Sequence, residues 1–94
     1  MNRYTLLSEN YAERKIMRSE FAFEANVSHQ DNIVAYCGWL EHIATTHTRI
    51  THEMLRRLFN SFSKFDISVD DCFFEYSIFL ENELIISRKA ALKK

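Results

Sequence analysis

Proline is absent from this chain, and glycine occurs once, at Gly38. The residues that most often break helices and close tight sheet turns are therefore missing, and long helices are the reading such a chain supports most directly. Gly38 sits inside a stretch whose apolar residues keep helical spacing, so it either admits a close backbone or weakens an exposed turn. No repeat, low-complexity tract or linker interrupts the 94 residues, which suit a single helical domain over 1–94 with one small core.

Hydropathy divides the chain into four segments. From Leu6 to Ala25, the residues Leu7, Tyr11, Arg18, Phe21 and Ala25 fall on one helical side, with Met17 at its edge and Ile16 and Phe23 opposite. The end of this segment, EFAFEANV, also alternates through Phe21, Phe23, Ala25 and Val27, so helix and short strand are both open there, and Asn26 marks the stop. Ser28 and Asp31 stand three apart, as at a helix N-cap, and open a helix over about Gln30 to Thr45. Its inward stripe is Ile33, Tyr36, Cys37, Leu40, Ile43 and Ala44; Trp39 lies beside it, placed to cover a core edge or to dock a partner.

TTHTR reads as a turn, after which Thr51 starts a third helix with Met54, Leu55, Leu58, Phe59, Phe62 and Phe65 facing inward. Ser68, three before Asp71, caps a last helix from Val69 to about Leu92. Val69, Cys72, Phe73, Tyr76, Phe79, Leu80, Leu84 and Ala91 form one broad apolar side of it. Phe74, Ile78 and Ile85 form a second stripe roughly opposite. The expected fold is all-α: a small three- or four-helix bundle with a long C-terminal helix. That helix, apolar on two sides, is either covered by the first segment or shared with another molecule.

Composition narrows the function. Hydrophobic residues make up 47% of the chain and charged residues 27%, the balance of a globular and not a disordered protein. Twelve Lys and Arg against thirteen Asp and Glu give a formal net charge of −1, which supplies no long-range pull toward nucleic acid or an anionic membrane. No apolar run is long enough to span a bilayer, and MNRYTLLSENYAERK lacks the apolar segment of a secretory signal, so a cytoplasmic location is expected. In that setting Cys37 and Cys72 are expected as free, buried thiols.

Cys37, His42, His47 and His52 recur every five residues. Five residues advance a helix by about 140 degrees, so this rhythm scatters the side chains instead of gathering zinc ligands on one face. HTRITHE is not the His-Glu-x-x-His pattern of a metalloprotease helix. No local motif activates either cysteine, and Asp70 and Asp71 are explained by a helix start. One glycine builds no phosphate cradle. The expectation is a non-enzymatic protein with no metal and no cofactor.

Eight Phe, four Tyr and one Trp are many rings for so small a core, and some should face another chain. Together with the two-sided last helix they indicate a protein-binding factor, of adaptor, inhibitor or antitoxin/immunity-like type. Its partner is another protein or a second copy in a dimer. The apolar anchors are Phe74, Ile78 and Ile85, with Trp39 as a separate one, and Glu75, Glu81 and Arg88 select the partner by charge. The alternative is a helix-turn-helix-like DNA-binding regulator that uses the 51–64 helix, with Arg49, Arg56, Arg57 and Lys64 on phosphates.

Overall fold

A computed structural model describes residues 10–92 as four α-helices with no β-structure among them. They are α1 (Tyr11–Glu20), α2 (His29–His47), α3 (His52–Phe62) and α4 (Val69–Leu92). None is long and apolar enough to cross a membrane. Leu6 and Leu7, expected in the first helix, lie outside the described residues.

Two of the helix starts are built as the spacing predicts, and so is the start of α4. The Ser28 hydroxyl accepts the Asp31 N–H at 3.1 Å, Thr51 accepts that of Met54 at 3.2 Å, and Ser68 accepts that of Asp71 at 3.1 Å. Each bond satisfies one of the orphan donors of a helix N-terminus. Glu13, Asp31, Glu53, Asp70 and Asp71 place acid in the first turns, as the helix dipole favours.

The first helix is shorter than its pattern suggests. It ends at Glu20, and Phe21 is extended, with φ −95° and ψ 133°. Residues 21–25 form neither the helix nor the strand that EFAFEANV allows. The reason lies in the rings. Phe21 and Phe23 pack edge to face at 4.9 Å and both reach Tyr36 on α2, at 5.4 and 5.3 Å. Residues two apart on a helix point to opposite sides, so this joint docking requires the chain to leave helical geometry. Trp39 closes the cluster, 5.5 Å from Phe21 and 6.0 Å from Tyr36.

α4 is the central element: α1, α2 and α3 all pack on it, α2 most extensively. Between α2, α3 and α4 lie Tyr36, Cys37, Leu40, Ala44, Leu55, Tyr76, Leu80 and Leu84, all buried. Met17 of α1 and Ile85 of α4 join the same core. Met54 and Phe65, expected inward, are instead exposed, and so are Val69 and Ala91 at the two ends of the apolar side of α4. α3 stops at Phe62, so Phe65 never reaches the helical position its spacing assigned, and Val69 is the first residue of α4. Met54 lies about 100 degrees around the helix from buried Leu55, and α3 buries only a narrow stripe. A methyl built on Gly38 would meet nothing within 4 Å, so of its two readings the structure selects the weakened exposed turn.

Candidate partner-binding groove

The second stripe of α4 divides into a covered part and an open part. Ile85 is 2% exposed and Ile78 8%, whereas Phe74 keeps 39% of its surface in solvent. The expectation that Ile78 and Ile85 stand outward is therefore corrected. α1 packs on α4 beside Ile85, with Glu13 and Ile16 next to it, so at that residue the chain itself supplies cover, as the sequence allowed.

The contact between these helices combines buried Met17 and Ile85 with a set of polar pairs. Glu81, expected to face a partner, has no exposed surface. Its carboxylate accepts two hydrogen bonds from the Arg18 guanidinium, at 2.7 and 3.0 Å, and one from the Tyr36 hydroxyl at 2.6 Å. Next to it, Asn82 Oδ1 accepts from Arg14 at 2.7 Å and from Asn10 at 3.3 Å. Farther along α4, Arg88 faces Glu20 at 3.4 Å and Lys89 faces Glu13 at 3.3 Å. Arg88 thus already has an intramolecular partner. The hydrogen bond to Glu81 holds the Arg18 pKa above its ordinary value, while desolvation lowers that of Arg14. Burial, reinforced by the Glu81 bond, keeps the Tyr36 phenol protonated far into the alkaline range.

Beside this crossing lies an open groove of about 400 Å³ between the α1–α2 connection, α2 and α4. Phe23, Ile33 and Phe74 supply its apolar walls; Arg18, His29 and Asn32 supply polar groups. Phe23 is held there by a two-bond clamp: Asn32 Nδ2 donates to the Glu24 carbonyl at 2.9 Å, and Asn32 Oδ1 accepts the Glu24 N–H at 3.1 Å. That clamp keeps Phe23, 44% exposed, presented to solvent instead of folded under. Glu75 is half-buried on the same helix as Phe74. Trp39, half-buried and engaged with Phe21 and Tyr36, covers the edge of the core.

The residues of the DNA-binding alternative are spread out. Arg49 is in the turn before α3 and Lys64 in the turn after it. Arg57 is tied to Glu53 one turn earlier at 2.7 Å, and Arg56 lines a separate hollow with Glu41 and Tyr76. Of the five-residue rhythm, Cys37 points into the core while His42, His47 and His52 are exposed; no three metal-ligating side chains come together among the described residues. Cys37 and Cys72 are buried free thiols, and burial, with Glu41 nearby, pushes the Cys37 thiol up to about 12, so it is a poor nucleophile.

Sequence reasoning missed Phe23, His29, Ile33 and Asn32 as groove residues, and Arg14 and Asn82 as partners. One signal was present for the crossing. Arg18 falls on the apolar side of its helix and Glu81 near the apolar stripe of α4, and two opposite charges placed where burial is expected call for each other. The groove carries no comparable signal, because it depends on where the chain leaves α1. No protein-family model matches the chain, and neither a curated protein nor a solved structure does.

Proposed function

We propose that this protein is a non-enzymatic binding factor that receives an apolar side chain of another polypeptide in the groove between α2 and α4. One observation carries the reading: Phe23, Ile33 and Phe74 converge on a single concave surface while two of them retain about two-fifths of their area in water. Burying the remainder of both rings is worth on the order of 2 kcal/mol, and rings bring that area with few rotors to freeze. Arg18, His29 and Asn32 at the rim offer the polar contacts that fix orientation. The roles weighed from sequence, adaptor, inhibitor or immunity-like factor, share this requirement for one pre-formed recessed patch.

Affinity capture from native lysate with the wild-type chain and with Phe74→Asp tests the proposal. The variant should lose its specific partner while its thermal midpoint moves little, because Phe74 is outside the buried core. Equal recovery of every captured protein by both forms would rule out the groove. Binding retained by Phe74→Asp but lost salt-dependently in Arg56→Glu would instead favour the helix-turn-helix reading.

A further inference from the structure

We propose that α1 is a detachable latch: it leaves α4 as a unit while α2, α3 and α4 stay folded together, and the face it uncovers accepts the same helix from a second copy of the chain. The proposal does not depend on the groove reading.

Four observations carry it. First, the backbone of α1 packs against α4 alone, whereas α2 and α3 also pack on each other. Second, α1 is ten residues long, too short to be stable by itself, and Met17 is its one buried apolar side chain. Third, polar pairs that hold it are directional: Arg18 on Glu81, Arg14 on Asn82, and outer ion pairs to Arg88 and Lys89 at 3.4 and 3.3 Å. Exposed pairs of that kind are weak and screened by salt. Fourth, a turning point exists at Phe21, where the chain is already extended and its ring is anchored on Tyr36 and Trp39. α1 can therefore swing out while residues 21–25 stay on α2.

Open, α4 presents a buried-type carboxylate, an amide, an apolar centre at Ile85 and two flanking cations. Leaving Glu81 without its guanidinium is unfavourable, so the exposed face selects strictly for a helix that restores every partner at once. A second copy carries that helix by construction. Exchange recreates each contact of the closed monomer, which is the low-cost route by which a single chain becomes a dimer.

Charge reversal tests both halves of the proposal. In Arg18→Glu a carboxylate faces Glu81, and in Glu81→Arg a guanidinium faces Arg14 and Arg18; each variant alone should open the latch. Each should run at 11.2 kDa, with amides of Arg14 to Glu20 exchanging at least about tenfold faster than in wild type and those of Leu40, Tyr76 and Leu80 little changed. Mixed in equal amounts, the two should form a species of twice that mass, because exchange pairs opposite charges in both crossings, and α1 should regain protection. A mixture that stays monomeric would overturn the exchange. Loss of protection throughout either variant would show that α1 belongs to the cooperative core and overturn the latch. Wild type supplies an independent check: about 1 M NaCl should speed α1 exchange severalfold while leaving α2 and α4 unaffected, and equal protection of α1 and α4 at both salt levels contradicts the proposal.

Discussion

The two sides of α4 are held by different physics. Toward α2 and α3 it contributes Tyr76, Leu80 and Leu84 to the apolar core, with the Tyr76 hydroxyl donating to the Glu41 carboxylate of α2. Toward α1 it contributes Glu81, Asn82, Arg88 and Lys89, with Ile85 at the centre. Apolar packing is non-directional and tolerates small shifts, so it supplies stability; paired charges tolerate only one geometry, so they supply specificity and a dependence on salt. One helix thereby serves as the middle of a core and as the receiver of a selectively held neighbour.

The largest expected difference comes from emptying the core side. Leu80 has no exposed surface, and Leu80→Ala should lower unfolding free energy by about 3 kcal/mol through lost burial and a residual cavity. Urea unfolding should show the same loss at low and high salt. A loss below about 1 kcal/mol would mean that this side lacks the close packing the comparison assigns to it.

On the α1 side the informative measurement is a cycle. Arg18→Met removes the guanidinium from a carboxylate with no exposure of its own and should cost about 2 kcal/mol, less than a wholly buried pair because the Arg18 side chain is 43% exposed. Adding Glu81→Gln removes the orphaned charge while its amide oxygen still accepts the Tyr36 hydroxyl, so the double variant should recover about 1 kcal/mol. Additive losses would erase the distinction between the two sides, since contacts made by packing alone show no such recovery.

That distinction was only half legible in the sequence. The bundle, the three caps and most of the core follow from local rules: Ser28, Thr51 and Ser68 mark starts, and the stripe through Tyr36, Cys37, Leu40 and Ala44 has the helical period. The second stripe of α4 was visible too, but periodicity says that a face will be covered and not by what. Whether Glu81 and Ile85 meet α1 or another chain is decided by a long-range fit between segments more than sixty residues apart. The groove was out of reach for a related reason. Its shape depends on Phe21 and Phe23 docking side by side on Tyr36, a tertiary preference that overrides the helical pattern running to Ala25.

The smallest effect is expected from the lone glycine, and it sharpens the comparison because it strengthens one side only. Gly38 lies in the middle of α2, on its exposed side, and an added methyl has open space around it. Alanine there loses less backbone entropy on folding and has no neighbour to displace, so Gly38→Ala should raise unfolding free energy by about 0.5–1 kcal/mol. The gain should appear in full in the amide protection of α2 and of the part of α4 packed on it. The backbone of α1 packs on α4 and not on α2, so if its opening is separate from global unfolding, its own exchange should be unchanged by the substitution. Protection that rises equally in α1 would tie the polar crossing to the core in a single cooperative unit, and the two faces of α4 would then differ in chemistry without differing in behaviour.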